Sequence, residues 1–352
     1  MQQGYSAGMH RVAIVGASGY VGAELLRICA GHEEFEVVAA TGDTSAGTKI
    51  SDRYPHLAGV VGDQSFVECS SGVAAGADLT FLALPHGKAQ QLVPALRTET
   101  KKIVDLSADF RFNSPAPYEH WYGKKHESPE LLGEFAFGLP ELFRESLPGA
   151  DLIAVAGCYV TTATLALAPL VGEGMIEPTG IIVDAVSGVS GAGRTAAPEM
   201  TFSAVDENFT AYGLLNHRHT PEMEMAIGLH AGTDVQLIFT PHLAPMSRGI
   251  LATCYAQPVG TVTTADAIDC LSSFYDAETF VTVSDRPPGT KATLGSNSVH
   301  MTARVDPRTG WLIAIAALDN LVKGAAGQAI QCANISLGLP EATGLTTAGI
   351  YP

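Results

Sequence analysis

The sequence lacks several features that would point to common classes of protein. None of its six cysteines forms a CxxC pair, so neither a zinc ribbon nor a thioredoxin-like redox site is predicted. No apolar run reaches the roughly 20 residues that span a bilayer, and residues 1–10 lack the basic and apolar stretches of a signal peptide. Basic residues are scarce, with 20 Lys and Arg against 36 Asp and Glu. The net charge of -16 argues against a surface for nucleic acid or anionic membranes, because it repels phosphates.

What is present is the composition of an ordinary globular protein, with 46% hydrophobic and 16% charged residues. A chain of 352 residues is long enough for about two domains and for a core that needs no disulfides. We therefore expect reduced cysteines and a cytoplasmic location.

Residues 1–110 alternate short apolar runs with amphipathic segments. Helical spacing over residues 22–31 ends at Gly31, which suits a helix C-cap. This alternation, with its short turns, predicts an α/β domain built on a doubly wound, Rossmann-like parallel sheet. The predicted strands are 11–15, Phe35–Ala40, 78–84 and 102–106, and a second helix is predicted over 88–97.

Residues 112–148 break the alternation, since they are rich in Pro, aromatic and charged residues and show no strong period. They predict a long surface excursion near the active site. From residue 180 onward strands dominate, which predicts an α+β domain with a mixed or antiparallel sheet. The further predicted elements are strands 150–156, 181–186, 235–240, Ile250–Ala256, Val299–Val305 and 311–317, a hairpin turn at 306–310, and helices 161–170 and 320–337.

Three glycines follow the first predicted strand and open the first predicted helix. Gly16, Gly19 and Gly22 would let the backbone approach a pyrophosphate, whose charge the helix N-terminus stabilises. Their GxxGxxG spacing differs from the usual GxGxxG fingerprint, and a plain structural turn is the alternative. The strand before the turn and the helix after it favour dinucleotide binding.

The end of the second predicted strand bears on which dinucleotide binds. NAD-specific sites usually place an acidic residue there to hold the ribose hydroxyls. Here Thr41 and Gly42 come first, and Lys49 and Arg53 are close behind. This arrangement favours NADP, whose extra phosphate an acidic residue would repel, although Asp43 is also nearby.

Cys158 lies where a predicted strand ends and a predicted helix begins. A helix N-terminus lowers the pKa of a thiol and favours its thiolate, and Gly157 permits the tight turn that would expose the sulfur. The alternative is a buried small residue, which is what the patterns around Cys29, Cys254 and Cys332 suggest for those thiols. Its position at the turn makes Cys158 the candidate nucleophile.

Residues 216–222 place two imidazoles, a guanidinium and a carboxylate in one predicted loop. His217 and His219 are candidates for general acid/base catalysis beside Cys158. Two alternatives remain: the histidines are solvated loop residues, or they form a metal site together with Glu222.

Two further segments suggest anion binding. Residues 105–111 follow a parallel strand at its carboxyl end, where ligands bind such sheets. Arg111 in this segment is a candidate for gripping a carboxylate or phosphate, with an ion pair to Asp109 as the alternative. Residues 187–194 form a Gly/Ser loop that would wrap a phosphate or the nicotinamide ribose, or else a flexible turn.

Seven motifs occur in a fixed order along nearly the whole chain and carry a resemblance to a known family. They are GASGYVGAELLR, ALPHG, DLSADFR, AGCY, SGVSGAGR, HRHTPEM and DNLVKGAAGQA. The chain resembles the N-acetyl-gamma-glutamyl-phosphate reductases of arginine biosynthesis, within the semialdehyde dehydrogenase superfamily. The related aspartate-semialdehyde dehydrogenases usually carry an Asn-Cys pair, whereas this chain has Gly157 before Cys158.

The resemblance implies an NADPH-dependent reduction of N-acetyl-gamma-glutamyl phosphate to N-acetylglutamate 5-semialdehyde, with release of phosphate and without a metal. Cys158 would attack the acyl phosphate to form a thioester, hydride would reduce that thioester, and His217 would handle the protons. The residues implied to bind anionic parts of the substrate are Arg111, His219, Tyr212 and Arg248. The residues implied to contact the cofactor are Gly16, Ser18, Gly19, Tyr20, Val21, Gly22, Thr41, Ser45, Pro85, His86, Gly87, Ser107, Gly191 and Asn320.

The resemblance also implies a domain organisation. Contact of Asn320 with the nicotinamide would join residues 320–352 to residues 1–157 as a discontinuous dinucleotide-binding domain. Residues 158–319 would then form the catalytic and dimerisation domain. A homodimer or homotetramer is expected by analogy with family members that pair through this strand-rich domain, and neither nucleic acid nor a membrane is an expected partner.

Three alternatives remain open from the sequence. The same chemistry would serve another acyl phosphate, such as aspartyl phosphate or aminoadipyl phosphate. A non-catalytic regulator that senses the dinucleotide would be indifferent to Cys158→Ser, and so would a hydroxy-acid dehydrogenase without covalent chemistry. For the covalent mechanism, the 112–148 segment is expected to help keep water from the thioester.

Overall fold

The computed structural model describes residues 8–70 and 72–352, which form two β-sheets. The first sheet is fully parallel, with its six strands in the order β2-β1-β3-β4-β6-β5. This confirms the predicted doubly wound sheet, and it places the reversal of strand order between β1 and β3, where ligands bind at the carboxyl ends. The strands are β1 His10–Val15, β2 Phe35–Ala40, β3 Leu79–Leu82, β4 Lys102–Asp105, β5 Ala136–Gly138 and β6 Leu152–Val155.

Helices cover this sheet because its central strands are buried along their whole length. The first helix begins at Tyr20, earlier than the predicted residue 22, since Gly19 and not Gly22 is its N-cap. It ends at Ala30 with Gly31 as the C-cap, as predicted. The helices of this half are α1 Tyr20–Ala30, α2 Ile50–Arg53, α3 Ala58–Val61, α4 Ala89–Leu96, α5 Pro115–Tyr122 and α6 Pro140–Phe143.

Residues 112–148 are more regular than predicted. They contain α5, β5 and α6, and β5 forms the edge strand of the parallel sheet beside β6. A strand of three residues is too short to show a period of two. Pro115 and Pro140 are the first residues of two helices, a position at which proline is tolerated. Because proline otherwise interrupts helices, these two helices were not predicted. The predicted surface excursion therefore contains two helices and an edge strand that its sequence does not announce by a period.

The second sheet has seven strands in the order β11-β12-β13-β10-β7-β9-β8. Two of its strand pairs are parallel and the others are antiparallel, which confirms the predicted mixed sheet. One face packs on the helices Cys158–Gly172, Thr220–Ala231 and Thr264–Phe274, and the residues of the other face remain partly exposed. The strands are β7 Ile181–Gly188, β8 Thr210–Ala211, β9 Leu237–Ala244, β10 Ile250–Ala256, β11 Val281–Val283, β12 Val299–Val305 and β13 Leu312–Leu318.

Besides two helices of four residues, two longer helices of this half were not expected from the sequence. One of them, α9, begins at Thr220 within the predicted loop 216–222, so Glu222 lies in the first turn of a helix. The other, α10, follows a capping box in which Thr263 and Asp266 satisfy each other's backbone N–H groups. The helices are α7 Cys158–Gly172, α8 Phe202–Val205, α9 Thr220–Ala231, α10 Thr264–Phe274, α11 Thr290–Thr293 and α12 Gly327–Leu337.

The predicted helix 320–337 is two elements. A π-helix over Val322–Ala326 leads into α12. Apolar residues of both elements pack into the core of the first sheet together with Val104 and Ile153. The chain thus returns from the second sheet to the first.

The six cysteines are all free, as predicted. Within the described ranges, no helix combines the length and apolarity needed to cross a membrane.

Candidate active site

Cys158 begins helix α7 directly after the chain leaves strand β6. The N-cap of this helix is Gly157, which offers no capping side chain. A Cβ added to Gly157 would lie 2.5 Å from His219 Nε2 and 2.9 Å from Arg111 Nη1. Glycine at this position therefore lets an imidazole and a guanidinium approach the backbone beside the cysteine.

The cysteine is half-buried and packs against the π-helix. A Cβ added to Gly324 of that helix would lie 2.8 Å from the Cβ of Cys158. Burial raises the pKa of the Cys158 thiol to about 11, and the N–H of Tyr159 and the charge of Arg111 counteract burial only in part. Burial thus opposes the lowering of the thiol pKa that is expected from the helix N-terminus, and formation of the thiolate requires a base.

Arg111 and Glu222 form a buried ion pair behind the cysteine turn. Arg111 Nη1 donates to Glu222 Oε2 over 2.9 Å, and Nη2 donates to the carbonyl of Leu106 over 3.0 Å. The second oxygen, Glu222 Oε1, accepts the N–H of Gly157 over 2.8 Å. The predicted alternative of an Arg111–Asp109 pair is wrong, because Glu222 supplies the carboxylate.

Two histidines lie beside this turn. Their ring centroids are 4.9 Å apart, and His217 Nδ1 accepts the backbone N–H of His219 over 3.2 Å. Burial, followed by the charge of Arg218, lowers the pKa of His217 to about 4. Burial and the neighbouring His217 also lower the pKa of His219 well below its usual value. Both imidazoles are therefore neutral near pH 7 and can accept a proton.

Two tyrosines surround His217. The rings of Tyr159 and Tyr212 both meet it edge to face, with centroids 5.7 Å and 5.6 Å away. The hydroxyl of Tyr212 donates to that of Tyr159 over 3.2 Å, and Tyr159 donates to the carbonyl of His242 over 3.1 Å. The structure thus brings Tyr212 to the histidines, with its hydroxyl already engaged.

The 112–148 segment reaches the same site through Tyr122, the last residue of α5. The guanidinium carbon of Arg218 lies 4.8 Å from the centroid of the Tyr122 ring, and the His86 ring meets Tyr122 edge to face at 5.6 Å. The sequence alone assigns no role to Tyr122 or to the Arg218 side chain. The aromatic residues of the segment and the position of Arg218 between two histidines were the available signals.

The glycine turn after β1 has the shape that a dinucleotide needs. Gly16 has a φ of +88°, and a Cβ added there would collide with the carbonyl oxygen of Ala83. A Cβ added to Gly22 would collide with the carbonyl oxygen of Gly16. No side chain caps α1 at Gly19, so the first N–H groups of the helix remain available to a pyrophosphate.

The predicted adenosine side of the cleft lies next to this turn. Thr41 and Ser45 are buried, and the Thr41 hydroxyl accepts the N–H of Gly16 over 2.9 Å. Lys49 pairs with Asp63 over 2.7 Å. Among the described residues Arg53 forms no ion pair, and its Nε is buried without a hydrogen-bond partner.

The other predicted cleft residues follow the carboxyl ends of β3, β4 and β7 or precede the π-helix. Asn320 is held by two contacts: its Oδ1 accepts the N–H of Gly249 over 2.8 Å, and its Nδ2 donates to Ser190 Oγ over 2.9 Å. Arg248 pairs with Glu24 over 2.9 Å and with Asp319 over 3.6 Å. The remaining residues of this group are Pro85, His86, Gly87, Ser107 and Gly191.

Possible metal ligands group elsewhere. In the part of the chain that the structure describes, three such side chains lie within 4.8 Å of one another at Glu141, Glu278 and Glu341. Arg144 and Lys323 supply the opposite charges for this group. His217, His219 and Glu222, the alternative metal ligands predicted from the sequence, do not form such a group.

The fold and the cysteine site together define a class of protein. Residues 11–150 match the model described as "Semialdehyde dehydrogenase, NAD binding domain", and residues 158–320 match "Semialdehyde dehydrogenase, dimerisation domain". The chain belongs to the semialdehyde dehydrogenase family. Its first domain therefore binds a nicotinamide cofactor.

Curated relatives narrow the class further. Proteins named N-acetyl-gamma-glutamyl-phosphate reductase are similar to this chain: one from Symbiobacterium thermophilum is 48% identical over 97% of this chain and 99% of its own length. Another, from Magnetococcus marinus, is 46% identical over 97% of this chain and 99% of its own length. One from Heliobacterium modesticaldum is 47% identical over 98% of this chain and 100% of its own length. These relatives confirm the family resemblance seen in the motifs.

Solved structures share the fold. Aspartate semialdehyde dehydrogenase II from Vibrio cholerae has a TM-score of 0.69 at 16% identity, over 94% of this chain and 99% of that one. Aspartate semialdehyde dehydrogenase with NADP from Candida albicans has a TM-score of 0.63 at 17% identity, and the match covers 93% of this chain and 98% of that one.

Proposed function

We propose that this protein reduces N-acetyl-gamma-glutamyl phosphate to N-acetylglutamate 5-semialdehyde with NADPH and releases phosphate, a step of arginine biosynthesis. The observation that carries the proposal is the placement of Cys158, with neutral imidazoles and a buried ion pair at its turn. The same chemistry would serve other acyl phosphates. Similarity over nearly the full length to proteins named N-acetyl-gamma-glutamyl-phosphate reductase favours N-acetyl-gamma-glutamyl phosphate as the substrate.

The cysteine supplies a covalent route. The Cys158 sulfur forms a bond to the acyl carbon, the bond from that carbon to the phosphate oxygen breaks, and phosphate leaves with the electron pair. The thiol proton passes to an imidazole. The bound nicotinamide cofactor supplies the hydride that reduces the resulting thioester. Return of the proton lets the thiohemiacetal collapse to the aldehyde and the free thiol, so that atoms and charges balance.

The position of His219 favours it as the base. Its Nε2 lies against Gly157, next to the cysteine, and its buried Nδ1 has no hydrogen-bond partner among the residues that the structure describes. The family resemblance implies His217 for this role, and His217 Nδ1 also accepts the backbone N–H of His219. We expect His219→Ala to lower kcat by about 10²–10⁴-fold, the range for loss of a general base. His217→Ala, in steady-state assays, should lower kcat less.

We propose NADP over NAD because of Arg53. Its position after the glycine turn and the absence of an ion pair among the described residues leave its guanidinium available to the extra phosphate. Lys49, in contrast, is compensated by Asp63. Arg53→Ala should raise the KM for NADP while leaving the KM for NAD unchanged, and equal effects on both would contradict the assignment.

The domain division is part of the proposal. We assign residues 1–157 and 320–352 to the cofactor domain and 158–319 to the catalytic domain, supported by the packing of α12 on the first sheet. The open face of the second sheet supports pairing of two copies, since residues 158–320 match a dimerisation domain. We place the protein in the cytoplasm, where a nucleophilic thiol stays reduced.

The 112–148 segment supports exclusion of water from the thioester, because Tyr122 covers the site beside Arg218 and His86. Replacing Tyr122 with Ala should raise the amount of acyl phosphate hydrolysed for each molecule reduced. An unchanged ratio would remove this role.

The function is tested in the reverse direction. The purified protein is mixed with NADP, phosphate and one of three aldehydes: N-acetylglutamate 5-semialdehyde, aspartate semialdehyde or aminoadipate semialdehyde. We expect phosphate-dependent NADPH formation with the first aldehyde at a kcat/KM at least a hundredfold above the others. Equal or better turnover of another aldehyde would contradict the assigned substrate.

A further inference from the structure

Arg218 is an arginine of the active site whose charge is not compensated. It lies between His217 and His219 in the chain and is exposed. Among the residues that the structure describes, none places a carboxylate oxygen within 4.0 Å of its guanidinium, whereas Glu222 pairs with Arg111. The guanidinium carbon lies over the ring of Tyr122, 4.8 Å from its centroid.

Arg111 and Arg248, which the family resemblance implies for substrate binding, already form ion pairs with carboxylates. Arg111 is buried and donates to Glu222 Oε2 and to a backbone carbonyl. Arg248 pairs with Glu24 of α1 and with Asp319. An anion that binds either guanidinium must compete with a carboxylate already in contact with it, and a buried pair is costly to break.

Stacking on Tyr122 prepares Arg218 for an anion. A guanidinium that lies over an aromatic face keeps its N–H groups at the edge of its plane, where they can donate in pairs to a carboxylate or phosphate. The contact fixes the position of a long side chain without using those donors. Arg218 also contributes to lowering the pKa values of His217 and His219, which places its charge close to both imidazoles.

We propose that Arg218, held on the ring of Tyr122, binds an anionic group of the substrate, its phosphate or its carboxylate. Arg111 instead positions the Gly157–Cys158 turn through Glu222. This assignment rests on the proposed function, which supplies a substrate with both anions. Arg218 is a substrate-binding residue and takes no part in the proton transfers.

Steady-state kinetics of the reverse reaction test the proposal. The variants are Arg218→Ala and Arg218→Lys, and the KM values for phosphate and for the semialdehyde are measured separately. Loss of a charge-assisted contact should raise one of the two KM values by about 10–100-fold in Arg218→Ala. Arg218→Lys should recover part of the loss, because it keeps the charge but not the paired donors. The KM that rises identifies the anion.

Two further variants make the result specific. Tyr122→Leu should raise the same KM by a smaller factor, since it removes the support but not the charge. Arg308→Ala is the matched control: Arg308 is an exposed arginine in the turn before β13, 81% exposed and paired with Asp306. It should leave both KM values unchanged.

The proposal is overturned if Arg218→Ala leaves both KM values within twofold of wild type. It is also overturned if Arg111→Ala raises an anion's KM and Arg218→Ala does not. The assay uses whichever semialdehyde the wild-type protein turns over, so this failure is distinct from failure of the assigned substrate. A wild-type protein inactive with all three semialdehydes would contradict the proposed function, and this assignment with it.

Discussion

At the scale of single residues, the active site depends on how closely its parts approach the backbone at Gly157. Arg111 and His219 both lie where a side chain at this position would stand, and Glu222 accepts the N–H of the same residue. The turn that carries the nucleophile is therefore contacted by the side chains of Arg111, His219 and Glu222, which lie on other segments of the chain. The close approaches of Arg111 and His219 depend on the absence of a Cβ at position 157.

Gly157→Ala tests this close approach. The backbone of Gly157 is extended, with a φ of -66°, so alanine causes no backbone strain and the effect is steric. The Cβ would displace His219 and Arg111, and misplacement by about 1 Å can cost roughly 10²-fold in rate. We expect kcat to fall by at least tenfold, measured with saturating substrates. Gly289→Ala, where a Cβ meets nothing within 4 Å, should be silent; full activity in Gly157→Ala would contradict the geometry.

The lowered histidine pKa values predict how stability responds to pH. His217 has a pKa of about 4 when folded and about 6.5 when unfolded, because burial disfavours its charge. Between these values the unfolded chain binds more protons, so stability decreases as the pH falls from 6.5 towards 4. His217 should contribute a loss of roughly 1–2 kcal/mol between pH 7 and pH 5.

Urea unfolding at both pH values measures this loss. His217→Gln, which cannot titrate there, should show a smaller decrease in the free energy of unfolding than wild type. An identical decrease in both proteins would show that the His217 pKa is not lowered.

At the scale of elements, the π-helix links the cofactor domain to the cysteine. Gly324 of this helix packs on Cys158, and the adjacent Lys323 is fully buried. Lys323 Nζ donates to Glu141 Oε1 over 2.6 Å and to Gln331 Oε1 over 2.7 Å. Lys323 thus holds α6 through an ion pair and α12 through a hydrogen bond to the helix turn that packs on the nucleophile.

Lys323→Met tests this link. The substitution leaves the buried Glu141 carboxylate without its cation, which should cost about 3–5 kcal/mol in the free energy of unfolding. The double variant Lys323→Met with Glu141→Gln removes both charges and should recover part of that loss. If the single variant is as stable as wild type in urea unfolding, the pair does not hold these elements together.

The sequence predicts elements well where their pattern is long and their ends are marked. Ile250–Ala256 and Val299–Val305 have the predicted bounds because both are long for strands: the first alternates between buried and half-buried residues, and the sequence of the second alternates apolar and polar residues. The strand Ala136–Gly138 is too short to show such a pattern, and Pro221 makes the start of α9 read as a loop. The capping box at Thr263 was a readable signal for α10.

At the scale of the whole molecule, the second sheet presents an open face suited to a second copy. Across its strands, Ile238, Ile182, Tyr255 and Ile313 are direct neighbours in register and point away from the helices. The side chain of Ile238 is 54% exposed. A continuous apolar row of this kind marks an interaction surface, and the match to a dimerisation domain covers these residues.

Ile315→Glu tests pairing through this face. Ile315 is a half-buried residue of β13 that pairs with Thr253 on one side and Thr302 on the other. A carboxylate there should convert the wild-type dimer or tetramer into smaller species, measured by analytical ultracentrifugation. Val60→Glu, at an exposed apolar residue of the first domain, is the control and should not change the mass. A wild-type monomer, or an unchanged assembly in Ile315→Glu, would contradict this use of the sheet.

The site was predictable in its reactive groups but not in its pairings. Cys158 and the two histidines stand out by local pattern, since each lies in a short motif of unusual chemistry. The Arg111–Glu222 pair joins residues 111 positions apart, and no local pattern reveals such a partner. The thiol pKa depends on burial, which is a property of the assembled fold.

In the proposed mechanism Cys158 carries the acyl group, and direct acylation of the protein tests this. The protein is mixed with N-acetyl-gamma-glutamyl phosphate in the absence of cofactor, quenched in acid and examined by mass spectrometry of the intact chain and its peptides. We predict one N-acetylglutamyl group per chain, located on Cys158, and none in Cys158→Ser, which should also lose turnover. Turnover retained by Cys158→Ser, or an acyl group found on another residue, would contradict the mechanism.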